Sequence, residues 1–373
     1  ILSVGERQRI EIIRCLLQKP KLLVMDEPTS VLTPQEVEKL FITLKRLSEE
    51  GMAILYISHK LNEIKALCSN ATILRLGKKV DSVKVEEEST QSLAAMMMGK
   101  ELKDIQHPEK SELGEVRLSL KGLDMPAKDK TGISLKAMNL DVYAGEVVGI
   151  SGVAGNGQDE LLAALNGEQR CVQASSIEIE GKAAGRMSPN ERRLTGLASV
   201  PEKRLGHGAV PDMDLVENAF LTAFKRLGLI KSGLIDKMQT THFAEKIIQG
   251  FSVKTPGSDV PAASLSGGNL QKFIIGRELL QNPDILIVAQ PTWGVDAGAA
   301  QTIRQELREL AAKGAAVLVI SQDLDELLEI SDRIGAICGG RLSKFYQTSE
   351  ITTEQVGMLM AGVCLEEGVL NVA

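Results

Sequence analysis

Apolar positions in the first sixty residues change their period in a regular way. From Glu6 to Lys19 they recur at helical spacing, with Ile10, Ile13 and Leu17 as markers, which predicts an amphipathic helix. Leu22 to Met25 is an unbroken apolar run ending in two acids, Asp26 and Glu27, and a short run of this kind between helical segments predicts a strand. Gln35 to Glu49 returns to helical spacing, and Ala53 to Ser58 is a second apolar run followed by His59. Helices alternating with short apolar runs predict an α/β fold with a parallel sheet covered on both faces. In such sheets ligands collect at the carboxyl ends of the strands, where Asp26, Glu27 and His59 stand.

The pattern then returns. Leu2-Ser3-Val4-Gly5 reappears as Leu265-Ser266-Gly267-Gly268, 263 positions on, and the same shift carries Arg14 to Arg277, Pro20 to Pro283, Pro28-Thr29 to Pro291-Thr292 and Ile57-Ser58 to Ile320-Ser321 without a gap. A register held that long marks an internal duplication. The rear copy reaches further on its N-terminal side, with an apolar run (Val147 to Ser151), a glycine-rich loop and a helical segment (Glu160 to Leu165) in succession. A front copy of equal length would begin before Ile1, so the front copy is expected to be incomplete. Lys100 to Glu115, polar and containing Pro108, reads as a linker. The expected division is a front copy over 1–100, a linker over 101–114 and a rear copy over 115–373.

Composition narrows the function classes. A formal net charge of −6 over 373 residues argues against a nucleic-acid binder, whose affinity rests on clustered Lys and Arg. Cys15, Cys68, Cys171, Cys338 and Cys364 lie far apart without a C-x-x-C, so neither a zinc site nor a disulfide framework is indicated and a reducing cytosol fits. No apolar run approaches the ~20 residues that cross a bilayer, and no targeting leader is recognised. Any membrane connection is expected to run through a partner.

Three motifs in the front copy, Leu2-Ser3-Val4-Gly5-Glu6-Arg7-Gln8, then Leu22 to Glu27 with Pro28-Thr29, then His59, resemble the signature, Walker B strand and switch histidine of ATP-binding-cassette (ABC) proteins. Gly152-Val-Ala-Gly155-Asn156-Gly157-Gln158-Asp159, Leu265-Ser-Gly-Gly268-Asn-Leu-Gln271 and Ala289-Gln290-Pro291-Thr292 resemble the second cassette of fused sugar and nucleoside importer ATPases. Ala-Gln-Pro-Thr is typical of the nucleoside branch. The likeness covers essentially the whole chain and implies two tandem P-loop NTPase cassettes, ATP and Mg²⁺ as ligands, integral-membrane permease subunits as partners, a solute-binding lipoprotein receptor met indirectly, and a peripheral place on the cytoplasmic face of the plasma membrane.

Residue by residue, the resemblance gives Asp26 to Mg²⁺ through water, Glu27 to the attacking water and His59 to the γ-phosphate. Neighbouring side chains on a strand point in different directions, so two adjacent acids can take separate roles. Ser3 with Glu6 three residues on is also a capping-box pattern, and cap and phosphate contact both remain open there. At Ser266 the matching position is Asn269, which weakens the capping explanation; a helix N-terminus with Gly268 nearby suits phosphate. The rear phosphate loop has Gln158-Asp159 in place of Lys-Ser or Lys-Thr, and Gln158 cannot set a cation on the phosphate oxygens. Downstream, Ala289, Gln290 and Gln322 replace the magnesium-holding aspartate, the catalytic glutamate and the switch histidine.

In ABC proteins each ATP lies between one cassette's Walker motifs and the other's signature. That would pair Asp26, Glu27 and His59 with Ser266, Gly267, Gly268 and Gln271, and the degraded loop with Ser3, Gly5 and Gln8. Glu202 falls where the loop coupling nucleotide to permease is expected, and 206–246, partly helical and rich in Leu, where the permease-facing subdomain would lie. Met96-Met97-Met98 reads as helix core. A soluble tandem cassette protein acting on ribosomes or DNA, and a non-catalytic remnant, are the alternative classes. The solute is not legible in these residues; nucleosides, then ribose or galactose-like sugars, follow from the resemblance.

Overall fold

A computed structural model describes residues 4–18, 20–29, 32, 34–58, 60–75, 78–98, 113–128 and 132–365. Ser3, His59 and most of the expected linker, residues 101–112, lie outside the described residues. The chain divides into two compact units, Ile1–Ile105 with Asp296–Gly298, and Gln106–Val295 with Ala299–Ala373.

The first unit follows the predicted alternation: α1 (Val4–Leu17), β1 (Leu22–Asp26), α2 (Pro34–Glu49), β2 (Ala53–Ile57), α3 (Leu61–Leu67), the β3 (Asn70–Arg75) and β4 (Lys78–Lys84) hairpin, and α4 (Thr90–Met98). β1 and β2 pair in parallel from Leu22 opposite Ala53 to Asp26 opposite Ile57. Leu23 and Met25 pack with Leu44, Ile54 and Tyr56. The other face departs from the expectation of a doubly covered sheet: Leu22, Val24, Leu55 and Ile57 are exposed. At the repeat offset stand Ile285, Ile287, Leu318 and Ile320, all buried in the larger unit beside helix and antiparallel-strand residues such as Leu161, Leu165 and Leu118. The described part of the first unit holds no counterpart of those elements. Met96 and Met97 are half-buried on α4, where Leu93 is the fully buried residue.

The second unit begins with β5 (Val116–Met125), β6 (Leu135–Tyr143), β7 (Val147–Ser151), α5 (Gln158–Asn166), β8 (Ile177–Ile179), β9 (Lys182–Ala183), α6 (Pro189–Leu194) and β10 (Leu197–Val200). It continues through α7 (Leu215–Ala223), β11 (Ile230–Lys231), β12 (Leu234–Ile235), α8 (Lys237–Gly250) and α9 (Gly267–Leu279). It closes with β13 (Ile285–Ala289), α10 (Ala297–Ala312), β14 (Ala316–Ser321), α11 (Leu324–Ile330), β15 (Arg333–Cys338), β16 (Arg341–Leu342), β17 (Tyr346–Gln347) and α12 (Thr353–Met360).

Its main sheet runs β10-β13-β14-β7-β15 in parallel, with β16 and β17 antiparallel on β15. A second, antiparallel sheet runs β6-β5-β8-β9. The core lies where both sheets meet α5: Leu118, Leu120 and Leu123 pack with Leu161, Leu165, Ile150, Ile287 and Leu318. Every residue of β7, β13 and β14 is buried, the state that continuous apolar runs predict. This order brings the ends of β7, β13 and β14 side by side, setting the phosphate loop, Gln290 and Gln322 at one edge.

Candidate nucleotide site

Asp26 closes β1 and is exposed; Glu27 follows, half-buried. Glu27 has a left-handed backbone, φ 44°, and its amide donates to Ile57 O at 2.8 Å across the parallel pair. Such a conformation costs a non-glycine residue about 1–3 kcal/mol and persists where surrounding contacts over-determine it. The rear copy repeats the turn: Gln290 has φ 50°, and its amide donates to Ile320 O at 2.8 Å. The two turns differ in cargo, a carboxylate in front and an amide behind. Asp26 can serve Mg²⁺ as such sites commonly do, through one or two carboxylates with water and phosphate. Ala289, at the matching place, has no oxygen to offer. Among the described residues no group of three or more His, Cys, Asp or Glu forms a metal cage.

In the second unit the loop after β7 is a phosphate cradle turned on itself. Gly155 (φ 83°) and Gly157 (φ 114°) take backbone angles that side chains resist, and Gly157 caps α5 without a side-chain bond. A cradle of this kind offers its N–H groups to an anion. Here Gln158 bends back into it: Oε1 accepts from the Asn156 amide at 3.0 Å and Nε2 donates to Val153 O at 2.9 Å. A methyl group on Gly152 would meet Gln158 Nε2 at 2.6 Å, so the fit is close. Asn156 closes the far side, Nδ2 on Val153 O and Oδ1 accepting from Gly339 N. Asp159 is exposed in the first turn of α5. Burial, and then the Asp159 charge, push the Glu202 carboxyl above its ordinary range. Two acids beside the cradle oppose a polyphosphate.

Ser266 sits at the N-cap of α9 without a cap hydrogen bond; its hydroxyl accepts from Asn269 Nδ2 at 2.9 Å. Gln271 is buried, donating to Pro291 O at 3.1 Å and accepting from Arg204 Nε at 3.0 Å. Arg204, which the sequence reading passed over, lies 5.6 Å above the Trp293 ring and donates to Trp293 O. Its Nη1 would stand 2.6 Å from a Cβ on Gly267, so a side chain there would displace the guanidinium, and a Cβ on Gly268 would stand 3.1 Å from Gly294 O, a tight fit against backbone. Gln322 is tied to the same edge, its amide 3.4 Å from Gln290 Oε1. Gly5 lies in the first turn of α1 and Gln8 in the second. The other missed residues are Glu63 and Glu326, buried carboxylates at equivalent positions behind the two turns.

The ABC transporter family profile matches residues 1–30 and 135–293. With relatives more than 30% identical along nearly its whole length, the chain belongs to the ABC transporter ATPase family, with the P-loop NTPase fold. It is 38% identical over 366 residues to the nucleoside import ATP-binding protein NupA of Lactococcus lactis subsp. cremoris, an alignment covering 98% of this chain and 72% of that protein. It is 37% identical to the guanosine import ATP-binding protein NupO of Bacillus subtilis (98% and 71% covered) and 34% identical to the ribose import ATP-binding protein RbsA 1 of Rhizobium johnstonii (95% and 68%). Among solved structures, the ATP-binding cassette MJ0796 in a post-hydrolysis state bound to ADP and Pi superposes with a TM-score of 0.54 at 22% identity, covering 62% of this chain and 98% of that one.

Proposed function

We propose that this chain is the ATP-hydrolysing subunit of an ABC importer for nucleosides or simple sugars, with one competent site and one degenerate site. The front copy (1–100) contributes Asp26, which would hold Mg²⁺ through water, Glu27, which orients the attacking water and accepts its proton, and His59, which contacts the γ-phosphate. Bound Mg²⁺ supplies charge neutralisation on the β- and γ-phosphate oxygens. By the family resemblance, Ser266, Gly267, Gly268 and Gln271 of the rear copy (115–373) complete this site, and Ser3, Gly5 and Gln8 face the degraded loop.

One paired observation carries the reading: the same left-handed turn ends the strand in both copies and presents a carboxylate at Glu27 but an amide at Gln290. A general base is worth roughly 10²–10⁴ in rate, and an amide does not take a proton at neutral pH. The self-occupied loop at Gln158, with Asp159 and Glu202 beside it, supports the same asymmetry.

The importer assignment draws on the names of the relatives, which import nucleosides, guanosine or ribose. Integral-membrane permease subunits are then the direct partners and a solute-binding receptor an indirect one, with the chain peripheral on the cytoplasmic face. No helix of the described residues is long and apolar enough to cross a membrane, so attachment runs through a docking surface. Leu221, Leu227, Leu234 and Met238, exposed on 206–246, supply apolar area for it, with Glu202 as the coupling loop. The test is ATP-driven uptake by the complete gene product reconstituted with its permease and receptor. Uptake of a nucleoside or simple sugar is expected; ATP hydrolysis without uptake of either class, at full permease occupancy, contradicts it.

A further inference from the structure

A buried carboxylate stands behind the front acid pair, and the reaction as described leaves it without a role. Glu63, in the first turn of α3, is 8% exposed. It accepts hydrogen bonds from three hydroxyls on two segments: Thr29 Oγ1 at 2.5 Å to Oε1, and Tyr56 Oη at 2.7 Å and Ser58 Oγ at 3.1 Å to Oε2. Thr29 belongs to the loop after β1, two residues past Glu27; Tyr56 belongs to β2; Ser58 is the residue before His59. Ser58 Oγ in turn accepts from the Lys60 amide at 3.0 Å. Burial, followed by Glu63, pushes the Tyr56 hydroxyl above its ordinary range, as expected for a phenol donating to a carboxylate.

The arrangement is built twice. At the repeat offset, Ser321 Oγ donates to Glu326 Oε2 at 2.8 Å and accepts from the Asp323 amide at 3.1 Å, and Glu326 is 1% exposed. Tyr56, however, maps to Val319, and at Glu326 Oε1 no donor comes within full hydrogen-bond geometry, Thr292 (the counterpart of Thr29) and Arg304 acting on it only from longer range. The clamp is thus fuller in the copy that carries the catalytic carboxylate.

A carboxyl group offers about four lone-pair sites; three hydroxyl donors use most of them. The consequence falls on Glu27. Its left-handed backbone needs its neighbours to hold it, and among the contacts that do so are its amide on Ile57 O and, two residues on, Thr29 on Glu63.

We propose that Glu63 is a positioning residue for ATP hydrolysis: it locks the Glu27 turn to Tyr56 of β2 and to Ser58, so that the base keeps one fixed place against the neighbouring strand. This rests on the reading of Glu27 as the base. Removing the clamp loosens the geometry of the water-activating group without touching the nucleotide, so the loss falls on kcat.

The test has two arms. In the complete gene product with its permease, Glu63→Gln and Glu63→Ala should lower kcat about tenfold or more while KM for ATP moves less than about threefold, with Glu63→Asp recovering part of the loss. Hydrogen exchange on the chain should show the Glu27 amide exchanging at least about tenfold faster in Glu63→Gln, with the Leu23 to Met25 amides of β1 unchanged. Unchanged kcat in Glu63→Ala overturns the proposal. So does acceleration of Glu27 and β1 together, the signature of a residue that merely stabilises the unit. If the Glu63 variants fail to fold, Thr29→Val removes only the link to the turn and must give the same fall in kcat and the same local exchange; wild-type behaviour there overturns the proposal. A Glu27→Gln control separates the two readings. Retained hydrolysis in that control refutes Glu27 as base, while exchange at residue 27 still reports whether Glu63 holds the turn.

Discussion

Replacing Glu326 by Gln should stabilise the second unit, and by an amount that grows with pH. Glu326 is 1% exposed, and burial above all, then the Asp323 charge, raise its carboxyl from 4.5 to about 7 against the opposing pull of Arg304 and the Thr292 and Ser321 hydroxyls. Arg304 offsets little, because its Nε stays 3.9 Å from Oε1 while its Nη1 pairs with Glu329 at 2.6 Å. The fold therefore prefers the neutral acid. Its contribution is fully present below about pH 4.5 and is lost as pH rises through about 7. At 1.36 kcal/mol per pH unit the ionised group costs up to about 3 kcal/mol. Glutamine keeps the shape and cannot ionise. Trp293 is the single tryptophan of the chain and lies in the second unit, so urea unfolding followed by its fluorescence reports on the right body. The gap between Glu326→Gln and wild type should open between pH 5 and 7 and level off near 3 kcal/mol by about pH 8. A gap independent of pH refutes the reasoning.

Arg192 is fully buried, donating to Ala164 O and Leu165 O at the C-terminal end of α5 and to Gly185 O after β9; Arg192→Ala leaves a buried cavity and takes a donor from each of these carbonyls, of which Ala164 O and Gly185 O keep backbone donors, and should cost about 3 kcal/mol, read as a fall in urea midpoint. Arg192→Lys should rescue little, since one ammonium cannot reach three carbonyls as the planar guanidinium does. Leu318→Ala and Leu55→Ala change equivalent positions in opposite surroundings, 0% and 53% exposed. The first should cost about 2–5 kcal/mol and the second within about 0.5 kcal/mol, by denaturant titration of the same chain.

The parts legible in the sequence were those encoded by period and register. Apolar runs located β1, β2 and β7 to within a residue of their ends, and the ungapped duplication located Gln290 and Gln322 by reference to Glu27 and His59. What the pattern cannot encode is where a side chain turns. Gln158 reads as a lost lysine, and only the structure adds that its amide occupies the loop's own N–H. Arg204 sits in a charged turn that reads as solvated, yet its guanidinium lies on Trp293 and against Gly267. Glu63 and Glu326 look like surface acids in a first helical turn; their burial depends on hydroxyls up to 34 positions away. Apolar continuity in β1 and β2 predicted cover on both faces, but Leu22, Val24, Leu55 and Ile57 are buried only where a second layer exists, as their counterparts in the larger unit are. The division into copies at 1–100 and 115–373 remains a proposal about function; the compact units part at Ile105.

The central claim is that one copy carries the chemistry. Steady-state ATP hydrolysis by the complete gene product with its permease, compared between Glu27→Gln and Gln290→Ala, tests it most directly. A loss of roughly 10²–10³ is expected for the first and a rate within about twofold of wild type for the second. Substantial turnover in Glu27→Gln, or collapse of turnover in Gln290→Ala, contradicts it.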